Sequence, residues 1–332
     1  MIDGEKSRSV VLLYGVPQGS NFGPKAFKRY DRPVGLIADK HDMNYHIYAD
    51  DVQLYVSFEP GNGISERQAL DKLLDCINEL NSWMTANFLK LNQDKTEILV
   101  FKRAHHNITD ELNLIDIGGN VIHPAHSARN LGVVFDTSLT LECHIKKVCK
   151  NAYFEIRNIS KIRKYLTDAA AATLVHAFVT SKLDYCNSLL YGLPKKTLQK
   201  LQRVLNSAAR VVGKCKKYDS ITPTLVSFHW LSIPERIEFK ILLLTFKALH
   251  GQAPIYLSEL LKEHSPCRDL RSAESKLLAV PKTRLKYFGD RAFVKAAPLL
   301  WNALPRHIRF CNTTDCFKSN LKTYLFKRSY NV

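Results

Sequence analysis

Asn44-Tyr45-His46-Ile47-Tyr48-Ala49-Asp50-Asp51-Val52-Gln53-Leu54-Tyr55-Val56-Ser57-Phe58 is the stretch on which the reading of the fold turns. Asn44 to Tyr48 and Val52 to Phe58 are rich in aromatic and β-branched residues, and Ala49-Asp50-Asp51 lies between them. The pattern predicts a β-hairpin with an acidic pair at its turn. Adjacent carboxylates repel, so a turn that keeps them together needs a reason. A hard divalent cation supplies one, because Mg²⁺ takes oxygen ligands and is often held by one or two carboxylates plus substrate phosphates. A lone Asp-Asp is also what a solvated turn looks like; the apolar strands on either side set this one apart.

Upstream, Val10 to Tyr14 is a β-type run that enters Gly15-Val16-Pro17-Gln18-Gly19-Ser20, and Gly23-Pro24 then opens a short helix. Glycines let the backbone approach a flat ligand, and Gln18 offers both a donor and an acceptor. Downstream, Leu70, Leu73, Leu74, Ile77, Leu80 and Met84 keep the three-and-four spacing of one helix face over Ser65 to Trp83. Glu97 to Phe101, Leu112 to Ile117 and Leu131 to Phe135 read as strands, with Gly118-Gly119-Asn120 as a turn. After Asp136 the chain becomes a series of helices. Thr197 to Val212, Pro234 to His250, Asp290 to Leu304 and Asp315 to Phe326 are the clearest, and Gly251 follows the second of them. The expected organisation is a mixed α/β part over 1–140, an all-helical part over 141–265 and a basic helical part over 266–332.

The 332 residues carry 48 Lys and Arg against 31 Asp and Glu, a formal net charge of +17. Residues 1–103 hold 13 basic and 14 acidic residues, residues 104–265 hold 21 and 13, and residues 266–332 hold 14 and 4. The carboxylates sit with the front, and the surface that attracts a polyanion sits with the back. Eight cysteines share no repeated spacing and no signal peptide opens the chain, which points to a reduced intracellular setting, nucleus or cytoplasm. The longest apolar run, Ile241 to Phe246 (broken by Thr245), is far too short for a bilayer, so no membrane partner is expected. His123 with His126, Cys143 with His144 and Cys149, and His307 with Cys311 and Cys316 all fall short of a four-ligand set at customary spacing. They read as surface histidines and buried thiols. Lys214, Lys216 and Lys217 read as a solvated loop facing phosphate.

GVPQGSxxGP followed by YADD resembles the central palm motifs of reverse transcriptases, in the form used by non-LTR retrotransposons of the jockey kind. Leu91 to Glu97 (LNQDKTE), Asn130 to Asp136 (NLGVVFD), Leu183 to Asn187 (LDYCN), Asn206 to Arg210 (NSAAR) and Trp301 to Pro305 (WNALP) extend the likeness over nearly the whole chain. The resemblance implies an α+β fold: part of a reverse-transcriptase palm, an antiparallel sheet with helices, followed by a helical thumb and a basic C-terminal helical region. It implies Asp50 as a ligand of catalytic Mg²⁺ or Mn²⁺, with Asp51 beside it as a weaker carboxylate. Gly15, Pro17, Gln18, Gly19, Ser20 and Tyr48 would line the pocket for nucleotide and template. Lys95 would sit near the leaving pyrophosphate, and Leu131-Gly132 would belong to the turn that steadies the primer end. The implied partners are an RNA template, a DNA primer and deoxynucleoside triphosphates.

The family's first metal-binding aspartate lies on a strand well before GVPQGS, where only fourteen residues precede Gly15, and Asp3 and Glu5 stand too close to replace it. The fingers would also lie ahead of this stretch. Asn21-Phe22 and Lys25-Ala26 stand where the family usually has apolar residues. The expectation is a fragment of an RNA-directed DNA polymerase with little or no activity alone. The alternative is a non-catalytic nucleic-acid-binding fragment that uses residues 104–332.

Overall fold

The Asp-Asp stretch folds as a hairpin. Strand β1 (Asn44–Tyr48) pairs antiparallel with β2 (Asp51–Tyr55), in a register that sets Tyr48 opposite Asp51 and Tyr45 opposite Leu54. The computed structural model describes residues 21, 23–59, 61–102, 115–117, 120–264 and 276–331. The chain divides into two units, residues 1–128 and 129–332, each with its own core. No helix among the described residues is long and apolar enough to cross a membrane.

In the first unit, helices α1 (Gly23–Tyr30) and α2 (Arg32–Lys40) precede the hairpin and α3 (Gly63–Ala86) follows it. One hairpin face, with Tyr45, Ile47, Val52 and Leu54, packs on Val34, Ile37 and Ala38 of α2 and on Cys76 and Leu80 of α3. Helix α2 and strand β1 come very close: a Cβ on Gly35 would meet Tyr45 Oη at 2.8 Å. Glu79 of α3 takes Lys40 Nζ at 2.8 Å and His41 Nε2 at 2.7 Å, tying the end of α2 to α3. The buried face of α3 runs through Glu66, Ala69, Cys76 and Leu80, whereas Leu70, Leu74, Ile77 and Met84 are only half-buried. The expected helix is present, and its buried face keeps Leu73 and Leu80 of the expected stripe but is rotated toward Ala69 and Cys76.

Two more short antiparallel pairs follow, β3 (Ile115–Ile117) with β4 (Asn120–Ile122) and β5 (Ser127–Asn130) with β6 (Val133–Asp136). The strand expected over Glu97 to Phe101 is not formed. That segment is irregular, and the Ile98 carbonyl accepts the Ala125 N–H at 2.8 Å without a ladder forming around it. Val10 to Tyr14 and residues 112–114 lie outside the described residues. The described sheet structure is thus three two-stranded pieces within an α+β chain.

The second unit is helical. It comprises α4 (Glu142–Ile162), α5 (Asp168–Val175), α6 (Ser181–Asp184), α7 (Lys195–Gly213), α8 (Thr222–Ser227), α9 (Ile233–Leu249), α10 (Ile255–Ser258), α11 (Lys286–Gly289), α12 (Phe293–Asn302), α13 (Arg306–Arg309) and α14 (Thr314–Tyr330). Helix α9 is buried on two sides. Ile233, Ile237 and Ile241 join the core made with α4 and α7, while Leu242 and Phe246 join the core made with α12 and α14. Pro234 in its first turn and Gly251 at φ 65° just past its end bound it as the sequence predicts.

The entry to α4 depends on one carboxylate. Leu139 and Leu141 both take positive φ, 51° and 55°. Asp136 holds this bend, accepting Leu141 N–H at 2.6 Å on Oδ1 and Thr140 N–H at 2.9 Å on Oδ2. Two helix-entry donors are satisfied by one side chain. Nearby, buried His144 accepts the Val134 N–H on Nδ1 at 3.4 Å. Burial, with Lys147 adding repulsion, pushes its pKa below the ordinary imidazole value.

Asp136→Ala should lower unfolding stability by about 1–3 kcal/mol, since it strands both backbone donors. A urea midpoint that does not move would refute that role. His144 binds a proton less readily folded than unfolded, so stability is whole above the ordinary imidazole range and is lost as pH falls through about 6.5 and below. Melting temperatures of the wild type and His144→Gln measured from neutral pH down should converge, the wild type losing more; parallel curves would refute it.

Candidate functional site

Asp50 and Asp51 are both exposed. Asp50 occupies the two-residue loop with Ala49, and Asp51 is the first residue of β2, opposite Tyr48. A two-residue hairpin needs positive φ at its first loop position, and Ala49 provides it at 53°. Period-two alternation puts Asp51 with His46, Tyr48, Gln53 and Tyr55 on the face away from the core. Tyr48 is 66% exposed. The acidic pair thus lies on the open side of a hairpin whose other side is anchored.

Carboxylate oxygens are the donors that Mg²⁺ and Mn²⁺ take. Among the described residues, no group of three or more His, Cys, Asp or Glu side chains is placed to hold a metal ion. Asp50 and Asp51 therefore fit part of a coordination shell, with the other oxygens to come from substrate, water or a further carboxylate. Gly15, Pro17, Gln18, Gly19 and Ser20 lie outside the described residues. Lys95 is exposed at the end of a separate single turn, Gln93–Lys95.

Leu131 and Gly132 form the two-residue loop between β5 and β6, at φ 43° and 87°. The residue pattern begins a strand at Leu131 while the resemblance implies a turn at Leu131-Gly132; the structure has the turn, with the strand starting at Val133. Tyr185 lies over this turn and donates its hydroxyl to the Leu131 carbonyl at 2.7 Å. A Cβ on Gly132 would stand 3.2 Å from the Tyr185 ring. Two motifs far apart in sequence thus meet, which spacing alone could not show.

The other late motifs resolve into joints. Asp184 pairs with Arg236 at 2.7 Å, fastening the LDYCN segment to α9. In WNALP, Trp301 donates Nε1–H to the Lys276 carbonyl at 2.8 Å, and the Asn302 amide exchanges two bonds with the Leu278 backbone at 2.9 and 2.8 Å. In NSAAR, Ala208 and Ala209 are fully buried, and their small side chains suit the close packing of α7 on α4.

A cationic surface emerges where α4 and α7 end together. Arg163, just past α4, donates to the Val211 and Val212 carbonyls of α7 at 2.8 and 2.7 Å, and Lys214 reaches Asp168 at 3.5 Å. Around this end stand exposed Lys161, Lys164, Lys214, Lys216 and Lys217. Tyr165 and Tyr218 are 77% and 89% exposed, with Lys164 Nζ 4.8 Å and Lys217 Nζ 5.4 Å from their respective ring centres. Beside it, a shallow groove is lined by Tyr153, Ile156, Arg157, Ser160 and Lys161 of α4 and by Ser207 and Val211 of α7. Lysines for phosphates and exposed aromatic rings for bases are what a nucleic-acid surface needs. The lysine run was visible in sequence; the tyrosines and the union of two helix ends were not.

Residues 1–135 match the family described as reverse transcriptase (RNA-dependent DNA polymerase). The chain is 24% identical over 216 residues to a probable RNA-directed DNA polymerase from transposon BS of Drosophila melanogaster, covering 63% of this chain and 23% of that protein. It is 25% identical over 152 residues to the RNA-directed DNA polymerase from mobile element jockey of Drosophila melanogaster, covering 44% of this chain and 16% of the relative. The jockey polymerase of Drosophila funebris is 26% identical over 150 residues, with 43% and 15% covered. The match therefore spans less than a quarter of the length of these relatives. No solved structure matches the chain significantly.

Tyr185→Phe should destabilise the second unit by about 1 kcal/mol through loss of one hydrogen bond. Gly132→Ala should cost more, since it adds a Cβ at positive φ against a ring. Denaturant midpoints check both; Gly132→Ala proving the milder of the two would overturn the assignment.

Proposed function

We propose that this chain, whose residues 1–135 match the reverse transcriptase family and which is similar to jockey-type polymerases, belongs to an RNA-directed DNA polymerase of a jockey-like non-LTR retrotransposon and holds template and primer on its second unit. The observation that carries this reading is the separation of charge. Residues 1–128 hold 13 basic and 17 acidic residues, net −4, and residues 129–332 hold 35 and 14, net +21. An exposed carboxylate pair belongs to the first part and an exposed lysine–tyrosine end to the second.

In this reading Asp50 is the metal ligand, and Asp51 adds negative potential beside it. Mg²⁺ or Mn²⁺, when bound, supplies the Lewis acidity that nucleotidyl transfer requires. Gly15, Pro17, Gln18, Gly19, Ser20 and Tyr48 line the place of the deoxynucleoside triphosphate and template base. Lys95 offsets charge on the departing pyrophosphate. The Leu131-Gly132 turn, held by Tyr185, gives the primer end a rigid seat. Residues 141–265 act as a thumb that grips an RNA–DNA duplex through phosphates, and residues 266–332 extend that positive surface. Two carboxylates make a weak site, so the chain by itself binds and does not synthesise. In this reading the protein works where such templates are found, in the nucleus or the cytoplasm.

Binding to an RNA–DNA duplex should weaken linearly on a log–log salt plot. Reversing Lys161, Lys164, Lys214 and Lys217 to Glu should cut affinity at least about tenfold and flatten the slope by about one for each phosphate no longer neutralised. Affinity indifferent to salt, or to those reversals, would sink the grip. Fusing the upstream palm segment of a jockey-like relative separates catalysis from the binding-only reading. Mg²⁺-dependent primer extension that Asp50→Asn abolishes supports the polymerase, and binding without extension supports the alternative.

A further inference from the structure

Cys311 and Cys316 flank the corner between α13 and α14, and their sulfurs stand 3.5 Å apart. Cys311 is buried and Cys316 is exposed in the first turn of α14. The Asn320 amide donates to both, at 3.3 Å to Cys311 Sγ and 3.5 Å to Cys316 Sγ. The corner is otherwise firm: Thr313 caps α14 by accepting the Cys316 N–H, and Phe317 next to it is fully buried against Phe246 and Trp301. Two sulfurs are thus held together on a fixed frame, one reachable from solvent and the other waiting behind it.

We infer that Cys311 and Cys316 form a reversible dithiol–disulfide site, closed by a hydroperoxide or by a small-molecule disulfide whose S–S bond breaks and whose two halves leave as thiols. With a hydroperoxide, the Cys316 sulfur attacks the O–O bond and becomes a sulfenic acid, releasing an alcohol or water. The Cys311 sulfur then attacks that sulfur and expels water, so two thiols and one hydroperoxide give a disulfide, an alcohol or water, and one more water. A solvent-facing thiol beside a resolving thiol is the arrangement that stops oxidation at the disulfide. The shared Asn320 amide keeps both sulfurs at one point without supplying a third metal ligand, and no metal-holding group exists there among the described residues. The hydrogen bond to Cys311, then burial, pushes the Cys316 thiol up and so favours its protonated form at rest.

The test uses the full chain, reduced, desalted and treated with hydrogen peroxide or oxidised glutathione, then alkylated and digested. The expected result is an intramolecular Cys311–Cys316 link that resists alkylation and is reopened by dithiothreitol. Cys311→Ser should instead leave Cys316 as a sulfenic acid or a glutathione mixed disulfide. Near-ultraviolet circular dichroism on each variant confirms that the Trp301–Phe317 core persists. The inference is overturned if both thiols alkylate fully after oxidation, if Cys316 passes to sulfinic acid with Cys311 still free, or if only bonds between molecules form.

Discussion

The second unit is organised around a buried guanidinium. Arg163 leaves the end of α4 and fills the space beneath the end of α7, donating to the Val211, Val212 and Leu166 carbonyls and pairing with Asp168. Terminal carbonyls of a helix have no partner inside it and carry the negative end of its dipole. One planar fork answers several of them at once, which a lysine could not do. The consequence is that two helices end in the same place with their negative poles together. Cations are favoured there, and Lys161, Lys164 and Lys214 supply them. The cationic surface is therefore a by-product of how α4 and α7 are fastened.

The helices were largely legible in the sequence because each is punctuated. Pro234 and Gly251 bound α9, and the stretch over Thr197 to Val212 differs from α7 only at its ends. Faces were less legible than lengths. Leu73 and Leu80 of the expected α3 stripe do pack with the hairpin, but Cys76 joins them there while Leu70, Leu74 and Ile77 stay half-buried. The strand expected over Glu97 to Phe101 fails for a related reason. Its short apolar run, Ile98 to Phe101, suits an extended segment, and an extended chain can be half-buried with or without a ladder partner.

Of the candidate site, the sequence located the hairpin and its carboxylates, because both rest on local patterns. It did not reveal what the later motifs do. Asp136, Asp184, Tyr185, Trp301 and Asn302 stand in motifs that invite a functional reading, and each spends its polar atoms on backbone or on an ion pair inside the unit. Such joints cannot be read from a linear string of residues, since their partners lie from five to more than fifty positions away. The cationic end was half visible. A run of lysines is a local fact, but its meeting with Lys161 and Tyr165 depends on Arg163 reaching Val211.

The hairpin tip offers the strongest physical argument for a demanding function. A two-residue turn is cheapest with glycine or asparagine at its first position, and here alanine stands at φ 53°. A left-handed alanine costs about 1–2 kcal/mol, and neighbouring carboxylates add repulsion. A turn shaped only by folding would relax both by becoming Asn-Gly. Glycine would also loosen the loop, letting Asp50 sample many directions. Alanine keeps the backbone stiff, and Tyr48 opposite Asp51 fixes the register from which both carboxylates project. Local strain held in place by a packed inner face is the signature of a side chain that must be somewhere in particular. The inner face, Tyr45 and Ile47 against Val52 and Leu54, supplies the burial that offsets it.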